Sequence, residues 1–121
     1  MLNKVILMGR ITHHLELKRS QNGKDYLKFT IAINRDREDE KTDFIDCIVW
    51  EKTARFINEY FSKGRLIAVE GSINTTTYED KEGKKRKGVS VFVHKAYFTG
   101  ESKDKKPESV ITNIADDDLP F

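Results

Sequence analysis

The sequence has little with which to cross-link or interrupt itself: its 121 residues include one cysteine and two prolines. A lone Cys47 excludes an intramolecular disulfide and a multi-cysteine zinc site, so the core must be held by burial alone, as in a reducing compartment. Long apolar runs are also missing. No stretch approaches the roughly 20 residues that cross a bilayer, and the start MLNKVIL lacks a basic region followed by a long apolar core. These absences predict a soluble, non-secreted, cytoplasmic protein with no membrane partner. A mass of 14.0 kDa leaves room for one compact domain and a tail, not for a multidomain enzyme.

Catalytic and metal-binding patterns are equally sparse. His13 and His14 are adjacent, so in a strand they point to opposite faces, and His94 is distant in sequence, which argues against a shared metal. No G-x-x-x-x-G-K-[ST] phosphate loop occurs. Cys47 alternates with apolar residues and reads as core, not as a nucleophile. Asp36, Glu38, Asp39, Glu40 and Asp43 resemble a nuclease cluster only superficially, because they sit in one basic-flanked local stretch that reads as a solvated loop. The expectation is a protein with no cofactor, no metal and no catalytic residues.

Charge is abundant but divided. The formal net charge of +2 by itself points away from nucleic acid. Residues 1 to 100, however, hold 19 Lys and Arg against 14 Asp and Glu, whereas residues 101 to 121 hold 3 against 6. The texture changes at the same place: GESKDKKPES offers nothing to a core. The predicted organisation is a domain over 1–100, a flexible linker over 101–115 and an acidic tip over 116–121.

Within the domain, KVILMGRIT (4–12) and YLKFTIAIN (26–34) read as strands, expected to form a long hairpin around Gln21, Asn22 and Gly23. DFIDCIVW (43–50) is a third strand. Ala54, Ile57 and Phe61 then recur at helical spacing, and Lys63-Gly64 supplies a stop, which predicts a helix over 52–62. Strands over 66–78 and 89–99 flank the turn EDKEGKKRKG. Three strands, a helix and two strands is the order of an OB-fold, an all-β, five-stranded Greek-key barrel whose face and loops often bind oligonucleotides.

The third strand is the most informative. Ile45, Cys47 and Val49 form one apolar face; Phe44, Asp46, Ile48 and Trp50 form the other. If the first face is core, Phe44 and Trp50 stand about 20 Å apart on the open side, at a rise of roughly 3.3 Å per residue. That span suits several unstacked bases; alternatively Trp50 packs against the helix or a subunit neighbour. Tyr78 ends the fourth strand beside Lys84, Lys85, Arg86 and Lys87, which suit either phosphate contact or a solvated hairpin tip. Arg10, Arg35, Arg37 and Lys52 add dispersed charge. Aromatics with scattered cations are what sequence-tolerant binding of a single strand requires, since every base has a face to stack and lysine or arginine can follow the phosphates. At the tip, Asp116, Asp117, Asp118, Leu119, Pro120 and Phe121 read as an acidic solubility tail or, because Leu-Pro-Phe works against solubility, as a peptide ligand for another protein.

Taken together, NKVILMGRIT, FTIAINR, DFIDCIVWEKTA with FSKG, VEGSI with TTTYEDKEG, and the final DDDLPF resemble the bacterial-type single-stranded DNA-binding protein family, including its phage- and plasmid-encoded members. The resemblance implies a homotetrameric OB-fold protein that wraps single-stranded DNA with little sequence preference. It also implies a tip that recruits replication, recombination and repair proteins. By position it assigns Phe44, Trp50 and Tyr78 as stacking residues, Arg10 and Arg35 more weakly to the DNA path, and Asp116 to Phe121 to partner binding. The chain departs from the family pattern at His13, His14, Leu15 and Arg19, and again at Asp36 and Arg37, where aromatics are replaced. Fewer stacking contacts imply binding that falls steeply with salt. The linker is short, about 20 Å root-mean-square as a flexible coil. An OB-fold RNA-binding module is the alternative reading.

Overall fold

A computed structural model describes residues 1–36 and 41–101. Arg37, Glu38, Asp39, Glu40, the linker beyond Glu101 and the tip Asp116 to Phe121 lie outside the described residues. Six strands and one helix follow in the order β1 (Val5–Ile11), β2 (Lys18–Arg19), β3 (Asp25–Asn34), β4 (Thr42–Trp50), α1 (Glu51–Tyr60), β5 (Leu66–Glu79) and β6 (Lys85–Tyr97). Neighbouring strands run β1-β5-β6-β4-β3-β2, and an additional β1–β3 pairing closes the sheet on itself. Among the described residues the one parallel pairing is β4 with β6. This is the five-stranded OB-fold barrel with a two-residue strand added.

Alternation of side chains explains the core. Leu27, Phe29 and Ile31 of β3 face inward with Cys47 and Val49 of β4, Ile67 and Val69 of β5, and Val91 and Val93 of β6. Helix α1 contributes Ala54 and Ile57, and Phe61 follows just beyond its end. The intervening residues of each strand face out.

Two local expectations are corrected. The first and second long strands do not form a long hairpin: β1 meets β3 only at Arg10↔Ala32 and Ile11↔Ile31, and otherwise pairs with β5. The turn at Gln21 to Gly23 joins the short β2 to β3, with Gly23 at φ 80° and its N–H donating to Ser20 O at 2.9 Å. Closing a barrel requires β1 to divide its hydrogen bonds between two neighbours, a demand that local sequence does not reveal. The helix also ends earlier than predicted. Phe61 is extended at φ −122°, ψ 161°, and only 2% exposed, so the helix ends at Tyr60 and Phe61 enters the core from beyond it. Gly64, at φ 87°, belongs to the following turn, where its N–H reaches Ile11 O at 2.7 Å.

Where the described chain ends, Glu101 is fastened to the barrel. Its Oε1 accepts from the Leu66 N–H at 3.0 Å, its Oε2 from Arg10 Nη1 at 3.0 Å, and its carbonyl from Arg65 Nη2 at 2.6 Å. The Arg65 guanidinium lies over the Phe61 and Phe98 rings, 5.1 and 5.7 Å from their centroids. The residue assigned from sequence to the start of the linker is therefore held by three polar contacts to the body.

Candidate nucleic-acid interface

Strand pairing lays the outward residues of β3, β4, β6 and β5 side by side. Tyr26 lies opposite Trp50, Lys28 opposite Ile48, Thr30 opposite Asp46 and Ala32 opposite Phe44. Because Cys47 pairs with Val91 and Ile48 with Phe92, Asp46 is next to Ser90, which pairs in turn with Asn74. The result is one continuous face with a polar row, Thr30, Asp46, Ser90 and Asn74, running across four strands. It opens a cleft of ≈ 580 Å³ that is also lined by His13, Lys28 and Thr76.

The three aromatics singled out from the sequence occupy three different settings. Phe44 is 65% exposed and Tyr78 53% exposed. Trp50 is half-buried and packs on Tyr26 of the adjacent strand, ring centroids 5.1 Å apart and planes tilted by 34°. Within the described residues the ring partner of Trp50 is on a neighbouring strand, and the pair remains on the outer face. Tyr26 was noted only as the start of a strand. Its period-two spacing with Lys28, Thr30 and Ala32 was the signal that places it on this face.

Tyr78 rides on the outer half of the β5–β6 hairpin, where both strands are exposed from Ile73 to Glu79 and from Lys85 to Lys87. A Cβ placed on Gly88 would lie 3.5 Å from Tyr78 Cε1 and 3.1 Å from Thr76 Oγ1, so the tyrosine leans along the hairpin over this glycine. Arg86 is directly opposite Tyr78 and shares its face; Lys85 and Lys87 alternate to the other face, and Lys84 belongs to the turn. The turn itself is built by Asp80. Its Oδ1 accepts from the Glu82 and Lys84 N–H groups, its Oδ2 from Arg86 Nε, all at 2.9 Å. The Arg86 guanidinium and the backbone N–H groups hold the Asp80 carboxyl below the usual carboxylate range.

The cations named from sequence divide into two groups. Three carry carboxylate partners: Arg10 with Glu101 at 3.0 Å, Arg35 with Asp43 in a two-pronged contact at 2.9 and 3.0 Å, and Arg86 with Asp80. The Arg35 guanidinium holds the Asp43 carboxyl below the usual carboxylate range, which ties that acid to a structural pair instead of a cluster. Lys84, Lys85 and Lys87 are exposed. Lys52 is exposed too but lies off the sheet face, in a separate groove of ≈ 280 Å³ between α1 and β6 with Phe56, His94 and Tyr97. Lys28, inside the main cleft, is a cation that the sequence reading passed over.

Among the described residues no three His, Cys, Asp or Glu side chains gather closely enough to hold a metal ion, and no helix is long and apolar enough to cross a membrane. Burial, assisted by the Asp46 charge, pushes the Cys47 thiol up to about 12, which suits a core residue. His13 and His14 lie in the irregular connection after β1, not in a strand.

A second exposed surface lies on β1. Ile6 is 73% exposed and Met8 is also open, and β5 brings Ala68 and Glu70 beside them with Tyr97 of β6 next in line. Lys4 Nζ at 2.6 Å and Tyr97 OH at 2.8 Å both meet the Glu70 carboxylate, which fixes the polar edge of this apolar strip.

Comparison with known proteins agrees with this architecture. Three curated relatives are each named single-stranded DNA-binding protein. The one from Fusobacterium nucleatum is 43% identical over 108 residues, which cover 84% of this chain and 69% of that protein. The Staphylococcus aureus (strain MRSA252) protein is 43% identical over 89 residues, covering 70% of this chain and 57% of its own. The Clostridium perfringens protein is 40% identical over 98 residues, covering 80% and 65%. The chain thus spans little more than half to about two thirds of the length of the relatives it matches. The profile of the single-strand binding protein family matches residues 2–99, and the chain belongs to that family.

Proposed function

We propose that this protein binds single-stranded DNA with little sequence preference and keeps it unpaired and protected during replication, recombination and repair, without catalysing a reaction. The observation that carries this reading is the outer face of the sheet: Phe44 and Tyr78 stand largely uncovered by any described residue, Trp50 is shelved on Tyr26, and Lys28 and Arg86 share the face. Every base has a π-face, so stacking on these rings is worth about 1–3 kcal/mol per base whatever the sequence. Phe44, Trp50 and Tyr78 are the proposed stacking residues. Lys28, Lys84, Lys85 and Lys87 are free to follow phosphates. Arg10, Arg35 and Arg86 contribute only by exchanging their carboxylates for phosphate. Lys52, in its separate groove, and Arg37, which lies outside the described residues, are proposed as further phosphate contacts from their charge alone.

Oligomerisation is proposed through β1. Ile6 and Met8 would be covered by the same strip of a second copy, which a self-complementary two-fold contact permits, and family resemblance extends this to a homotetramer. The tip, Asp116 to Phe121, is proposed to recruit other proteins. Being acidic, it also competes weakly for the basic face, so deleting it should tighten DNA binding at low salt; unchanged affinity overturns that competition.

The central test is a titration of Trp50 fluorescence with oligo-dT at several salt concentrations, in parallel with oligo-U. Quenching by oligo-dT, weaker binding of RNA and a fall of log affinity with log salt of about 0.7 per phosphate contact are expected. Equal or tighter RNA binding would instead favour an RNA-binding module. Labelled oligonucleotide incubated with magnesium or manganese should remain intact. Light scattering with and without oligo-dT measures the assembly.

A further inference from the structure

The polar row in the middle of the binding face has no role in sequence-tolerant stacking. Thr30 Oγ1 donates to Asp46 Oδ1 at 2.9 Å, which orients a carboxylate that lines the cleft, and among the described residues Oδ2 has no hydrogen-bond partner. Ser90 and Asn74 continue the row across β6 and β5. Asp46 is exposed, two residues from Phe44 on the same face of β4 and four from Trp50. At a strand rise of about 3.3 Å per residue, a base next to one stacked on Phe44 comes within reach of it.

An ionised carboxylate only accepts hydrogen bonds, and it repels phosphate. A group that enters this part of the cleft is therefore favoured if it presents N–H groups and leaves its phosphates outside. Bases differ in that respect. Cytosine carries an N4 amino group, whereas uracil and thymine present a carbonyl at the same position, and their single N3–H lies between two carbonyl oxygens. Resting on the reading that this face binds single-stranded DNA, we propose that Asp46, oriented by Thr30, accepts a hydrogen bond from the exocyclic amino group of one bound base and so favours cytosine over uracil or thymine at that position. The rest of the site stacks, so a bias confined to one subsite leaves binding broadly tolerant of sequence.

Oligo-dC and oligo-dU of about 15 nucleotides, within the range one OB-fold covers, differ in their N3–C4 hydrogen-bonding edge and not in a methyl group. Affinities for both are measured by anisotropy with the full chain and with Asp46→Ala and Asp46→Asn, whose melting temperatures report folding. Asp46→Ala is expected to lower the dC to dU affinity ratio by about tenfold or more, the scale of one hydrogen bond to a charged acceptor. Asp46→Asn, which supplies a donor for the uracil carbonyl, should bring the two oligomers close to parity. A gain of equal size for both oligomers in Asp46→Ala shows an acid acting through repulsion alone and overturns the proposal, as does an unchanged ratio. Failure of the unaltered protein to bind either oligomer overturns the DNA-binding reading with it.

Discussion

Trp50 is both the last residue of β4 and the N-cap of α1, with extended φ −121° and ψ 150°, and the next residue, Glu51, takes φ 52°. A non-glycine residue at positive φ is uncommon and costs about 1–2 kcal/mol. It lets the strand pass directly into the helix and leaves the indole on the outer face against Tyr26. Phe44 has no such support. The two rings therefore predict different outcomes on truncation. Phe44→Ala should weaken oligo-dT binding by about 1–3 kcal/mol and leave the melting temperature unchanged, because the ring is exposed. Trp50→Ala should cost a similar amount of affinity and also lower the melting temperature, because it removes the Tyr26 contact. Anisotropy and thermal melts on the same preparations separate the two; no loss of affinity in either variant removes both residues from the site. The alternation of Phe44, Asp46, Ile48 and Trp50 was legible in the sequence. What Trp50 leans on was not, because Tyr26 is 24 residues away and meets it only through the β3–β4 register.

At the scale of elements, the β5–β6 hairpin does most to shape the face. Its register slips between Glu70 and Gly71, so that Glu70 pairs with Lys95 but Gly71 with Val93, and His94 is the extra residue. Such a bulge bends the strands and lets the inner half of the hairpin close the barrel while the outer half projects beyond it. Gly71 makes the bend possible: a Cβ there would lie 1.9 Å from Phe92 O. Gly71→Ala should destabilise the fold by about 2 kcal/mol or more, since the obstacle is backbone that can move only by parting the strands. Denaturant melts check this, and a wild-type midpoint would show that the strands yield freely. The sequence indicated both strands and, through the run EDKEGKKRKG, the turn between them. It did not indicate the bulge, because an isolated glycine in VEGSI is equally compatible with a regular strand.

Over the whole molecule, charge pairing makes the fold sensitive to acid. Asp25 is held low by Arg55 and Arg19, Asp43 by Arg35, Glu70 by Lys4 and Tyr97, and Asp80 by Arg86. Partial burial pushes the Glu101 carboxyl up, but the Leu66 N–H and Arg10 outweigh it and the net direction is down. Each group releases its proton more readily in the folded state than in the unfolded one. Their stabilisation is therefore complete above the ordinary carboxylate range, near pH 4, and is lost as pH falls through it towards the lower folded values. Thermal melts should show the midpoint falling below about pH 4, and a midpoint that holds or rises between pH 4 and 2 would contradict the pairing. The sequence by itself determined the apolar and polar faces of the strands, the existence of the helix, the aromatic and basic character of the site, and the opposed charges of body and tail. All of these are carried by neighbours in the chain, where period and composition suffice. Only the tertiary structure decided that β1 divides itself between β3 and β5, that Glu101 is clasped by Arg10, Arg65 and Leu66, and that Thr30, Asp46, Ser90 and Asn74 form one row. Each of these depends on the register between distant strands, and register is set by closing the barrel around its core.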